Sequence, residues 1–359
     1  MTYNHISPNY AGTGRNYRQP LYEPAFIESK TETLANGYAF HRYEKEALNN
    51  TLVPWYEWQS RHLHMFGVKN NKPEGLAIIW HGGGGDVGYC ENPEIIEKAL
   101  HMVGKGFVAC VVEYRRGWTN TGFKNDEVNP DSAEVQRDLF NLTSEEYKRQ
   151  ESSARLSFED AQTALDFLCA KYPEAARKGI VMEGTSFGGA IVLELTVMNP
   201  KAELYNFMGA VAGFGGINAI DVTTNKGKLP SPKACPLVLI GGTADPIVPF
   251  WEGPYYCQGE VYGLGSAAVA ELVRAGGGQA QLIGTVNKGH GYGAVNHSIY
   301  EQFTILEKAI KTIKAGKPIN STDWYSLENE KAVRATEAEA LAAFNARCEI
   351  LNTLNTLNP

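Results

Sequence analysis

From residue 76 to about residue 315 the chain alternates short apolar runs with amphipathic stretches, and that order admits few folds. LAIIW (76–80), FVACVVEY (107–114), GIVMEG (179–184), MGAVAGF (208–214), PLVLIGG (236–242) and QAQLIGTV (279–286) read as strands. They are continuous apolar runs rather than alternating ones, as expected where both faces of a sheet are covered. Helical patterns lie between them, around 93–103, 187–198, 267–275 and 297–315. Another helix is predicted to open at the capping pattern SFED (157–160), with Ala161, Ala164, Leu165, Leu168 and Cys169 on its apolar face. Repeated units of this kind predict a mostly parallel central sheet flanked by helices.

Three segments lie outside that alternation. Residues 1–55 are rich in Tyr and Asn with weak patterning, and read as an N-terminal extension packed on the core. The main domain then covers 56–316. Within it, residues 115–154 form a long polar insertion, far above the usual loop length, that leaves the end of a strand; segments of that kind tend to be lids or pocket walls. Residues 317–359 read as a C-terminal helical extension, in which Val333, Leu341, Phe344, Cys348 and Leu351 share one face of a helix over 331–351. That face either docks on the domain or makes a dimer contact.

Charge and composition exclude some functions. The net charge is −7 and no basic cluster stands out, so no nucleic-acid partner is expected. No window approaches the eighteen or so consecutive apolar residues of a membrane span. The first twenty residues carry no apolar signal core, so the chain is expected to be cytoplasmic, or else a mature form from which a leader was removed. The six cysteines form no CxxC or metal-type cluster, and neither a metal nor another cofactor is expected.

The chemistry is concentrated in three places. VMEGTSFGGA (181–190) sets Ser186 between a strand and a helix in a G-x-S-x-G arrangement, which demands a sharp turn that lifts the hydroxyl off the end of the sheet. A serine hydroxyl is a poor nucleophile and needs a histidine base oriented by a carboxylate. Asp245 lies just past the strand PLVLIGG, and His290 just past QAQLIGTV, which gives the chain order Ser…Asp…His. Asp221 is the competing acid and His297 the competing histidine. The third place is WHGGGG (80–85). Attack on a carbonyl builds negative charge on its oxygen, which needs preorganised N–H donors about 3 Å away. A glycine run after a strand presents amides with no side chain intervening. The N–H groups of Gly83, Gly84 and Phe187 are the expected donors, and His81 is the expected anchor of the loop. A phosphate loop would require a following Lys-Ser or Lys-Thr, whereas Asp86 and Val87 follow.

These stretches resemble the α/β-hydrolase superfamily. HGGGG is similar to the oxyanion loop of its hormone-sensitive-lipase-like and type-B carboxylesterase branches, and VVEYRRG to the strand that follows that loop. GTSFGG resembles the nucleophile elbow, and GGTADPIVP with NKGHG resembles the acid and histidine loops. The match covers about 76–315. It departs from many lipase-like esterases in having Thr185-Ser186-Phe187 where they have Asp-Ser-Ala, and in carrying its extra sequence at 115–154 rather than in an N-terminal cap.

The resemblance implies a serine hydrolase that cleaves small-molecule or polymer-borne carboxylic esters through an acyl-enzyme. An amide- or peptide-bond hydrolase of the same fold is the alternative inside enzymology, because GGTADPIVP is also similar to the acid loop of peptidase-like relatives. A catalytically silent binding module on the same fold is the alternative outside it. Trp118, Phe123, Trp251, Tyr255 and Tyr256, all near strand ends, are either substrate-binding aromatics or anchors of their loops.

Overall fold

The computed structural model describes residues 26–33, 39–45, 61–67, 72–83, 90, 93–114, 144–255, 262–291, 299–328 and 331–346. Three strands come first: β1 (Phe26–Thr33), β2 (Ala39–Lys45) and β3 (Arg61–Phe66). Then β4 (Leu76–Trp80), helix α1 (Pro93–Gly104) and β5 (Val108–Val112) lead to the long helix α2 (Ser144–Lys171) and the short α3 (Pro173–Lys178). β6 (Ile180–Thr185) runs straight into α4 (Phe187–Leu193) and a π-helical turn, Glu194–Met198. β7 (Phe207–Gly213), β8 (Ile217–Asn218), α5 (Ala219–Thr224) and β9 (Leu237–Gly242) follow. The remainder is β10 (Glu252–Pro254), β11 (Tyr262–Leu264), α6 (Ser266–Ala275), β12 (Ala280–Thr285), α7 (Ile299–Lys314), β13 (Thr322–Glu328), β14 (Lys331–Arg334) and a last helix over 337–346.

Eleven strands form one sheet in the order β1-β2-β3-β5-β4-β6-β7-β9-β12-β13-β14. The stretch from β5 to β13 is parallel throughout, and antiparallel pairs occur only toward the two edges. Of these, β4, β5, β6, β7, β9 and β12 are buried on both faces, which is why they are continuous apolar runs in the sequence. Along β4, Leu76, Ile78 and Trp80 face one core cluster, with Phe158, Leu165 and Leu168 of α2. Ala77 and Ile79 face the other, with Ile95 and Ala99 of α1 and Leu306 of α7. A three-stranded sheet, β10-β11-β8, stands apart from the large one.

The structure corrects two local readings. The SFED pattern opens no helix, because α2 passes through it without a break and Ser157 is fully buried. The buried stripe continues upstream through Ala154, so packing on the sheet overrides a local capping signal. Residues 144–154 of the expected insertion therefore belong to this helix, and 115–143 lie outside the described residues.

The C-terminal segment is also not simply helical. β13 pairs in parallel with β12, and β14 returns antiparallel to it. The reason lies at Gly284, where an added Cβ would come within 2.1 Å of the Trp324 ring. The absence of a side chain on β12 lets that indole lie flat against the sheet. Val333 is on β14, not on a helix. In the helix at 337–346, Ala340 is buried while Leu341 is 43% exposed, and of the expected face Phe344 packs on Trp251. Cys348 and Leu351 lie outside the described residues.

Candidate active site

The turn after β6 places Ser186 at φ 57° and ψ −121°, a backbone conformation that residues with side chains rarely adopt. It persists because the elements on either side leave no room to relax. An added Cβ on Gly184 would lie 2.1 Å from the Gly188 carbonyl oxygen, and one on Gly188 would lie 2.4 Å from that of Trp80. The two flanking glycines thus let the helix, its own strand and β4 approach to backbone contact. The Ser186 N–H donates to the Gly213 carbonyl at 2.7 Å and ties the turn to β7.

The acid and histidine loops are stitched to each other. Ala244 N–H donates to the Lys288 carbonyl (2.9 Å), and Asn287 N–H donates to Thr243 Oγ1 (2.9 Å). Asp245 Oδ1 accepts the N–H groups of Ile247 (2.8 Å) and Val248 (3.0 Å), which fixes the carboxylate. Its other oxygen, Oδ2, accepts from His290 Nδ1 at 2.8 Å. A carboxylate oxygen only accepts, so Nδ1 is the donor in this bond. Nε2 is 2.7 Å from Ser186 Oγ, within hydrogen-bond distance. The edge of Phe214 supports the imidazole, with ring centres 5.8 Å apart. The Asp245 side chain is 2% exposed and that of His290 16% exposed, as suits a buried orienting acid and a base open to substrate.

Ser186, Asp245 and His290 follow β6, β9 and β12, each beyond a strand's carboxyl end, in the order Ser…Asp…His. The fold is an α/β-hydrolase fold. Asp221, the competing acid, is buried within α5, and the hydrogen bond to His290 comes from Asp245. His297 lies outside the described residues.

The glycine run begins against Ser186. An added Cβ on Gly82 would meet the Thr185 carbonyl oxygen at 2.9 Å and Ser186 Cβ at 3.3 Å. Gly83 follows with φ 117°, a left-handed conformation that favours glycine. Gly84 lies outside the described residues. Phe187, the third expected donor, opens α4, with its ring stacked on Phe158 (5.7 Å) and tilted against Tyr114 (5.6 Å).

Of the expected pocket aromatics, Trp118, Phe123 and Tyr256 lie outside the described residues. Trp251 is partly buried among other rings. It packs edge-on to Phe250 (4.6 Å) and Phe344 (4.7 Å) and tilted against Trp324 (6.1 Å). Tyr255 lies over Gly263, where an added Cβ would come within 2.5 Å of the ring.

His81 is the expected anchor of the loop, but its partners, and a second buried pair near the site, escape the reading of the sequence. Around the loop, His81 pairs with Glu113 and stacks on Tyr114 at 4.2 Å. Beneath the elbow, Lys98 pairs with Glu183. The available signal was a charge inside an apolar pattern, since Lys98 sits among Ile95, Ala99 and Met102, and Glu183 within a buried strand. Among the described residues no cluster of three or more His, Cys, Asp or Glu side chains is placed to hold a metal. Nor is any helix there long and apolar enough to cross a membrane.

No family model matches the chain, and no curated relative does. Among solved structures, an esterase from Thermogutta terrifontis, Est2, is 15% identical over 72% of this chain and 89% of its own, at a TM-score of 0.46. A cold-adapted esterase from an Arctic intertidal metagenomic library is 13% identical over 80% of this chain and 98% of its own, also at 0.46. Likenesses of this size leave the functional reading to the site's own geometry.

Proposed function

We propose that this chain is a serine hydrolase that cleaves carboxylic esters through an acyl-enzyme. The observation that carries the reading is the chain of hydrogen bonds from Ser186 Oγ through His290 to Asp245, at 2.7 and 2.8 Å, with the glycine loop abutting Ser186.

In this reading Ser186 Oγ attacks the ester carbonyl as its proton passes to His290 Nε2. Asp245 holds the imidazolium that forms, and its two main-chain donors keep the carboxylate in place. Negative charge on the carbonyl oxygen is met by the N–H groups of Phe187, Gly83 and Gly84. Collapse expels the alcohol, which takes the proton from His290. Water then repeats the sequence on the acyl-serine with His290 again as base.

The test is hydrolysis of a p-nitrophenyl ester by the wild type, together with mapping of a fluorophosphonate adduct by mass spectrometry. Activity with one adduct on Ser186 is expected; labelling of another serine, or equal activity in Ser186→Ala, would reject the reading. Comparing an aryl ester with the matching anilide separates esterase from amidase, since an ester needs less help to expel its leaving group.

A further inference from the structure

We propose that Glu113 is the positioning residue of the oxyanion loop, holding the His81 ring at one end of the glycine run and the N–H of Cys90 at the other. The inference rests on the esterase reading, because a loop held this way matters only if its amides receive a developing charge.

Glu113 follows directly on β5 and is buried. Its Oε1 accepts from His81 Nε2 at 2.8 Å and from the Tyr114 N–H at 3.1 Å, and its Oε2 accepts the Cys90 N–H at 3.2 Å. One carboxylate therefore fastens residues 81 and 90, the two ends of the segment that carries the glycines.

The rest of the His81 ring is held as closely. His81 Nδ1 lies 2.7 Å from the Gly82 carbonyl oxygen, which can only accept. The Tyr114 hydroxyl lies 3.1 Å from the same nitrogen and 2.7 Å from the His81 carbonyl oxygen. The Tyr114 phenol stacks on the imidazole with ring planes 10° apart. The His81 and Glu113 side chains are closed off from solvent, each 3% exposed, so water does not compete for their hydrogen bond.

The consequence is preorganisation. Hole donors act only if they are already aimed when charge develops, and losing one costs on the order of 10² to 10³ in kcat. Gly82 is both the residue whose carbonyl faces His81 Nδ1 and the residue that abuts Ser186. Motion of His81 therefore reaches the nucleophile through one residue. Glu113 touches neither substrate nor the reacting atoms in this reading, and acts through His81 and the loop.

Glu113→Gln is the sharp test. The amide keeps the shape but has one accepting oxygen, so its NH2 must oppose either the Tyr114 N–H or the Cys90 N–H, and one of the two main-chain anchors is lost. With a p-nitrophenyl ester, kcat is expected to fall roughly 10- to 1,000-fold with KM nearly unchanged, the signature of a contact made in the transition state. Glu113→Asp, which keeps the charge, should lose less. A second measurement reads the loop itself: the Cys90 and Tyr114 amide protons, held by the carboxylate in the wild type, should exchange with solvent faster in Glu113→Gln. Wild-type kcat in Glu113→Gln, or unchanged exchange of both amides, overturns the proposal. Wild type that hydrolyses no ester would instead reject the esterase reading, while the exchange rates would still decide whether Glu113 holds the loop.

Discussion

The Lys98 ammonium lies 2.9 Å from Glu183 Oε1, and the two side chains are 1% and 0% exposed. Lys98 belongs to α1, the helix after the glycine loop, and Glu183 to β6, three residues before Ser186. Thr185 Oγ1 donates to the same carboxylate oxygen at 3.2 Å. The threonine that departs from the Asp-Ser-Ala pattern thus has a local partner. A charge pair beneath the elbow joins the strand of the nucleophile to the helix behind the loop.

Breaking that pair on one side strands a buried charge. Lys98→Met alone, or Glu183→Met alone, should lower the unfolding free energy by about 3–5 kcal/mol. The double replacement removes both charges and should recover most of the loss. Urea denaturation of the four proteins measures this directly. Losses that simply add in the double variant would show that the two groups do not depend on each other.

The backbone at Ser186 predicts a conflict between stability and activity. Both Ser186→Ala and Ser186→Gly should abolish ester hydrolysis, since triad losses cost on the order of 10⁴ to 10⁶ in kcat. Only glycine relieves the φ of 57°. Ser186→Gly should therefore be the more stable of the two, by about 1–2 kcal/mol after its greater unfolded-state entropy is counted. Thermal unfolding of the pair checks it; equal stability would mean that the turn holds no strain.

Asp245→Asn should cut kcat by roughly four orders of magnitude, because an amide no longer holds the proton on Nδ1 of His290. Asp221→Asn should leave the rate nearly unchanged, since that carboxylate lies within α5 and His290 receives its hydrogen bond from Asp245. Ester hydrolysis by the two purified variants ranks them, and the opposite ranking would move the role to Asp221.

Trp251 should matter for stability rather than for choice of substrate. Its ring joins Phe250 to Trp324 and Phe344, and so fastens the C-terminal segment to the loop after Asp245. Trp251→Ala should cost about 3 kcal/mol. The ratio of rates on short- and long-chain acyl esters should not change. A shifted ratio with unaltered stability would restore this side chain to the pocket.

The sequence by itself determined the alternation of strands and helices between residues 76 and 315, because parallel strands covered on both faces must be apolar without a break. Its local spacing also singled out Ser186, Asp245 and His290. The glycines around Ser186 record a backbone contact in the chain itself, and the acid and the histidine each lie just past a strand. Tertiary structure decided what depends on partners far away in the chain. The stripe of α2 runs through a capping pattern because the sheet offers it a surface there. The segment TDWYSLE became strand β13 because β12, with Gly284 bare beneath the Trp324 indole, left a place to pair. Lys98 and Glu183, 85 residues apart, look like isolated charges in a linear reading, and nothing there pairs Glu113 with His81, 32 residues before it. A buried charge is tolerable only opposite its counter-charge, and folding alone brings that counter-charge into place.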